Sequence, residues 1–289
     1  MSTTRTPARR RRWWLEVGWK YLFAAVVVFY AVFPLLYVVS AALNPRGTLS
    51  GSTALFSAFD LSNFAALGQT SYWTWVGNTL LIGGISAVGA VIMGAAAAYA
   101  FSRFRFTGRR ISLTSLLIVQ MFPQALAFVA IFLMLLAIGE VVPALGINSK
   151  LTLICVYLGG ALGANTFLMY GFFNTIPMEI DESAKIDGAT HAQIFWRLIM
   201  PLVMPILAVV ALLAFISAFG DYILAKIVLT SEDNWTLAVG MYQWVSNQLA
   251  SRWGLFAAGA VIAAIPVLAL FLSLQRYIVG GLTQGSVKG

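Results

Sequence analysis

Charge is what this sequence has least of. Only 10% of its 289 residues are Asp, Glu, Lys or Arg, against 60% that are apolar, and the mean hydropathy is +0.87. Soluble domains carry about 25% charged residues, so this composition excludes a soluble globular protein and points to an integral membrane protein. Cysteine is almost as scarce. Cys155 stands alone, which excludes an internal disulfide framework and a Cys-rich metal site, and its apolar surroundings give it the reading of a small buried hydrophobe. The one histidine, His191, has no second histidine to share a metal with and is assigned to a polar loop face. No G-x-x-x-x-G-K-[ST] phosphate loop, H-E-x-x-H or G-x-S-x-G occurs, so the chain has no ATP site of the phosphate-loop kind. The apolar runs also lack the midspan Asp, Glu, Lys or Arg on which ion-coupled carriers commonly rely, and no acid–base pair suits an intramembrane enzyme. A transport protein driven from outside itself fits these absences, and so does a passive channel.

What charge there is follows a pattern. The net charge of +8 would suggest nucleic acid, but the cations cluster beside apolar runs, as cytoplasmic loops of membrane proteins require, and no nucleic-acid site is read here. Residues 1–20 form a basic arm (Arg5, Arg9 to Arg12, Lys20) interleaved with Trp13, Trp14 and Trp19, a cytoplasmic tail held at the lipid interface. A cleaved signal peptide competes with that reading, but the following run, 21–43, exceeds a 7–15-residue signal core and is long enough to span.

Six spans are expected, at about 21–43, 76–101, 111–136, 151–173, 203–222 and 253–274, within one membrane domain over 21–274 and ahead of a tail, 275–289. Fourteen of the eighteen Lys and Arg then fall on one side, which puts both termini inside. Gly83, Gly84, Gly89 and Gly94, and later Gly159, Gly160 and Gly163, suit close helix packing. In the third span Gln120 and Gln124 are four apart on one helix face around Pro123. They could line a solute path with Asn165 of the fourth span, or serve as interhelical glue. Asp221 and Lys226, near the outer end of the fifth span, could pair, gate or reach interfacial water.

The exception to the apolar pattern is the loop 174–200. Four of the ten carboxylates, Glu179, Asp181, Glu182 and Asp187, fall within nine residues there. Each would cost roughly 2.5–3.5 kcal/mol at the membrane centre, so the loop lies outside it. Pro177 and the acids behind it open a short helix, since negative charge suits a helix N-terminus. Ile180, Ala184 and Asp187 share one side of it, with Glu182 and Ile186 on another. Gly188 breaks this helix, and Ile194, Phe195, Leu198 and Ile199 form an apolar stripe on a second segment. Pro201 and Pro205 open the fifth span. A helix, a hinge and a second helix resting on the spans make an elbow able to pass on a partner's movement.

The spacing Glu182-Ser183-Ala184, three residues, Gly188, nine residues, Leu198, Met200-Pro201 resembles the E-A-A-x-x-x-G-x(9)-I-x-L-P loop of ABC importer membrane subunits. Ser183, Leu198 and Met200 depart from it while roughly keeping size or polarity. Ala98-Tyr99-Ala100-Phe101-Ser102-Arg103, Gln120-Met121-Phe122-Pro123 and the C-terminal run from Gln275 to Gly289 are likewise similar to permeases of the maltose-importer type. The resemblance implies an all-α six-span permease of a type I importer in a bacterial or archaeal plasma membrane, surrounded by membrane lipid. It implies a second, MalF-like permease, a MalK-like ATPase dimer that binds the ATP, an extracytoplasmic sugar-binding protein, and a sugar substrate, with no cofactor on this chain. Glu182, Ser183, Ala184, Asp187, Gly188 and Pro201 would then couple to the ATPase, and Gln284 would reach it from the tail.

Overall fold

The computed structural model describes residues 14–45, 55–246 and 252–284, and among them all regular structure is helical. The chain divides into two compact units, Met1–Gln69 with Trp244–Ile262, and Thr70–Gln243 with Ala263–Gly289.

The first unit is dominated by α1, Trp19–Ala42, entered through a π-turn at Trp14–Gly18. Its Tyr21–Tyr37 stretch is exposed almost throughout, with Tyr30 at 81%. The helix is about 36 Å long, enough to cross the roughly 30 Å hydrocarbon thickness of a bilayer, and its apolar Tyr21–Tyr37 stretch is the part left exposed, while Ser40 and Ala42 at its end are buried. At its end the backbone is tied off by side chains. Phe56 donates its amide to Ser40 Oγ at 2.8 Å, and Asn63 Nδ2 donates to the carbonyls of Ala42 and Asn44 at 3.0 and 2.9 Å. Asp60 Oδ1 accepts from Ser62 N–H at 2.6 Å as α2, Ser62–Leu67, begins. The arginines of the basic arm lie outside the described residues.

The second unit is built on α3, Tyr72–Arg103, which packs along α6, Lys150–Phe173, and α9, Met204–Gly220. Small residues permit this contact, as the glycine pattern suggests. Gly83 faces the Phe215 ring of α9, and Gly89 and Gly94 face Leu158 and Met169 of α6. Gly84, Gly159 and Gly160 depart from that reading, since no atom lies within 4 Å of a Cβ at any of them. Cys155 departs too. It is exposed on α6, because Leu153 and Ile154 take the inward positions and Cys155 comes next round the helix.

The third expected span is two helices, α4, Arg109–Gln120, and α5, Gln124–Val141, bent by 101°. The cause is Pro123. The last amides of α4 tighten to i−3 partners, Met121 on Ile118 and Phe122 on Val119, and Pro123 then leaves in extended backbone at ψ 113°. Gln120 therefore ends one helix and Gln124 starts the next, so they do not share a helix face.

The segment before α9 is also bent: α8, His191–Leu202, meets α9 at 80°, with Pro201 in the last turn of α8 and Pro205 in the first turn of α9. Short helices α10, Ile223–Val228, and α11, Leu237–Ser246, follow. The last helix, α12, runs from Trp253 to Gln284, so the first ten residues of the expected tail, Gln275–Gln284, are helical. Among the described residues four helices are long and apolar enough to cross a membrane, or up to six if each bent pair counts as one span.

One end of this unit is closed by a strap. Asn148, at φ +64°, accepts from Thr230 N–H, Ser231 N–H and Ser231 Oγ–H at 3.1, 2.9 and 3.0 Å. Asn78 Nδ2 donates to the carbonyls of Asp233 and Trp235 at 2.8 and 2.9 Å, and Thr79 Oγ1 accepts from Leu237 N–H at 2.7 Å. Asp221 accepts from Tyr157 O–H at 2.7 Å and from the first amides of α10, while Lys226 sits 4.5 Å over the Trp235 ring. Those two charges therefore turn to different partners.

Candidate functional site

The opposite end of the second unit carries the polar loop. Its first element is α7, Glu179–Ile186, with Glu179, Asp181 and Glu182 in the first turn and Lys185 in the last, both favourable to the helix dipole. One side of the helix is buried: Asp181 and Ala184 fully, Ile180 in part. The other presents Glu179, Glu182, Ser183, Lys185 and Ile186 to the exterior, Ile186 at 87% exposure. Asp187 is exposed at the C-cap and does not join Ile180 and Ala184, because the helical turn has already ended there.

The corner that follows is fully hydrogen-bonded. Gly188 N–H donates to Lys185 O at 3.0 Å and Ala189 N–H to Ala184 O at 2.9 Å, the Schellman pattern, with Gly188 at φ +82°. Thr190 then opens α8 with a capping box: Gln193 N–H donates to Thr190 Oγ1 at 3.3 Å, and Thr190 N–H to Gln193 Oε1 at 2.8 Å. The expected hinge is thus a fixed angle.

Beyond the corner, α8 is wound as a π-helix over Ile194–Ile199. In ordinary α-helix Ile194 and Ile199 would lie about 140° apart. The i→i+5 winding brings them to one side, and both are completely buried. Leu198 leaves the expected stripe for the same reason and is 36% exposed. Ala184, Ile194, Phe195 and Ile199 join Ala95, Ala98 and Tyr99 of α3 and Met169 and Phe173 of α6 in one apolar core. Tyr99 packs against Phe195, and the exposed His191 ring meets Phe104 edge-on.

Two residues to which the sequence alone gives no paired role, Arg103 and Asp181, prove central to the geometry. Arg103 Nε lies 3.0 Å from Asp181 Oδ2, each side chain 6% exposed. The Nε–H is not aligned on the oxygen, so this contact is charge on charge. The other guanidinium nitrogens donate to the C-terminal end of α6 and to the link beyond it: Nη1 to Phe173 O at 3.3 Å and Nη2 to Ile176 O at 3.2 Å. Nη1 also reaches Ser102 Oγ, which donates to Asn174 Oδ1 at 2.8 Å. The available signal was positional. Asp181 precedes Ala184 by three, on the side facing the spans, and an acid there needs a cation.

The other candidates are dispersed. Gln120 lies against Gly163, and Asn165 presents its Cβ to Gly94, so both touch α6 packing, but nothing brings them to the α7 loop. The side chains of Gln124 and Gln284 lie outside the described residues; Gln284 is the last residue of α12. Among the described residues no group of three His, Cys, Asp or Glu side chains could hold a metal.

Similarity to known proteins gives the chain a family and a fold. The family described as binding-protein-dependent transport system inner membrane component matches residues 90–284. The maltodextrin transport system permease protein MdxG of Bacillus subtilis (strain 168) is 40% identical over 270 residues, covering 93% of this chain and 95% of that protein. The galactooligosaccharides transport system permease protein GanQ of the same organism is 38% identical over 282 residues, 96% and 98% of the two chains. The maltose/maltodextrin transport system permease protein MalG of Escherichia coli (strain K12) is 42% identical over 215 residues, 74% and 72%. In fold, the chain resembles one from a crystal structure of a bacterial ABC transporter involved in the import of the acidic polysaccharide alginate. That match has a TM-score of 0.75 at 22% identity and covers 96% of this chain and 99% of the other. The chain belongs to the family of inner-membrane components of binding-protein-dependent transport systems.

Proposed function

We propose that this chain is one of two permease subunits of an ATP-driven sugar importer, and that α7 is the part its ATPase grips. The observation that carries the proposal is the division of α7 into a buried side, anchored by Asp181 and Ala184, and an exposed side bearing Glu179, Glu182, Lys185 and Ile186. A polar helix locked onto the spans, with unpaired acids and one large exposed apolar side chain facing out, is suited to seat in a cleft of another protein. Glu182, Ser183, Asp187 and Gly188 form the contact, while Ala184 seats the helix on the spans and Pro201, in the last turn of α8, helps set where the loop enters α9.

The partners in this reading are a MalF-like permease, a MalK-like ATPase dimer that binds the ATP, and an extracytoplasmic sugar-binding protein. The exposed apolar surfaces of α1, α4 and α5 meet lipid or the second permease. Both termini and α7 face the cytoplasm of a bacterial or archaeal cell, as the distribution of Lys and Arg supports. The relatives named for maltodextrin, maltose and galactooligosaccharides support a di- or oligosaccharide as substrate, with maltodextrin first.

Purification from detergent, followed by reconstitution, tests this. A second permease and an ATPase should travel with the chain, and vesicles holding all components should take up maltotriose only with ATP and binding protein. Transport by the chain alone would instead make it a channel or carrier.

A further inference from the structure

We propose that Arg103 and Asp181 are positioning residues for coupling: a buried clasp that carries displacement of α7 directly into α3 and α6. The inference rests on the reading of α7 as the ATPase contact, and it adds the route by which force leaves that helix.

Two routes lead from α7 to the spans. One is the chain itself, through the Gly188 corner and α8 to α9. The other is side-chain contact across to α3 and α6. On that second route the apolar contribution is small: Ala184 is a single methyl group, and Ile180 is only partly buried. Contacts of that size are non-directional and allow a helix to slide. The Arg103–Asp181 pair differs in kind. It is shielded from water on both sides, at 6% exposure each, where ionic attraction is far stronger than at a surface.

The placement of the guanidinium matters as much as its charge. Arg103 is the last residue of α3. It holds Phe173 O, at the last residue of α6, and Ile176 O in the link that follows, while its Nε faces Asp181. Ser102 and Asn174 add a second tie between the same two helix ends. One planar group thus binds three elements at a single point, and neither of its long-range partners can move without dragging α3. Glu179 and Glu182, on the outer side of α7, remain available to a partner, so docking and transmission use different carboxylates of the same short helix.

The test uses the complete importer in vesicles: this chain, the second permease, the ATPase and the binding protein, with maltotriose as the probe. Native complex fixes the sugar transported per ATP hydrolysed, and absence of ATP-dependent uptake there would reject the functional reading and not the clasp. Asp181→Asn is expected to keep assembly and basal ATP hydrolysis but to lower the transported-to-hydrolysed ratio at least fivefold. Asp181→Glu, which keeps the charge, should restore most of it. The apolar pair Arg103→Met with Asp181→Leu fills the space without a charge–charge contact and should transport no better than Asp181→Asn. A native ratio in either charge-free variant would overturn the clasp. Loss of assembly in both would overturn it equally, since the pair would then be a folding element only.

Discussion

The amide of Ala189 donates to the carbonyl of Ala184 at 2.9 Å, spanning the turn in which Gly188 sits at φ +82°. This bond fixes the angle between α7 and α8. A Cβ on Gly188 would meet no atom within 4 Å, so any cost of substitution comes from the backbone and not from crowding. Left-handed backbone costs a non-glycine residue roughly 1–2 kcal/mol, least for Asn and most for a β-branched side chain. Asn, Ala and Val at position 188 should therefore lower maltotriose uptake per ATP in that order, with membrane insertion intact in all three. Equal uptake by the three variants would contradict a role for the fixed angle.

Much of this arrangement was legible in the sequence, and the parts that were not have physical reasons. Helix content, the polar loop and the break at Gly188 follow from local chemistry: apolar runs too long for anything but spans, acids behind Pro177, and a glycine where the helix ends. The Arg103–Asp181 pair joins positions 78 apart, and each residue has an adequate local explanation, as a cation beside an apolar run or a dipole-matching acid. The departure of Leu198 from the buried stripe, which keeps Ile194, Phe195 and Ile199, depends on π winding, which a 3.6-residue period does not contain. The 101° bend at Pro123 was signalled by the proline, but its size was not, since kinked and broken helices share that signal.

Glycines that look alike in sequence should behave differently. A Cβ at Gly240 would fall inside the indole of Trp75, a rigid ring whose Nε1–H also donates to Glu232 O at 3.1 Å. A Cβ at Gly159 would meet nothing. Gly240→Ala should destabilise by about 1–3 kcal/mol through overpacking, whereas Gly159→Ala should be neutral or stabilise by up to about 1 kcal/mol through helix propensity. Thermal unfolding in detergent separates the two, and a lower midpoint for the Gly159 variant would contradict the packing described for α3 and α6.

Asn148 offers a test of the strap. It combines left-handed backbone with one oxygen accepting three hydrogen bonds from Thr230 and Ser231. Asn148→Gly keeps the backbone and removes the acceptor; Asn148→Asp keeps the acceptor; Asn148→Ala loses both advantages. Each bond is worth about 0.5–1.5 kcal/mol. The expected order of stability is native, then Asp, then Gly, then Ala, with proteolysis in the segment 229–236 rising in the same sequence. Unchanged proteolysis in the Ala variant would show that the strap is held from elsewhere.

Gln120 and Asn165 can be assigned to a pore wall or to packing by their different settings. Asn165 meets Gly94 through its Cβ, which Asn165→Ala retains, so that variant should leave sugar uptake unchanged. Gln120 is exposed at the break between α4 and α5 and rests its carboxamide against Gly163. If that carboxamide meets the sugar, Gln120→Ala removes a hydrogen bond of about 0.5–1.5 kcal/mol, a rise in the transport KM of roughly 2–10-fold with kcat nearly unchanged. Gly163→Ala should have the same effect without touching Gln120 itself, because its methyl group would displace that carboxamide. Measuring uptake against maltotriose concentration in the reconstituted complex decides the matter. An unchanged KM in both variants would make Gln120 interhelical glue.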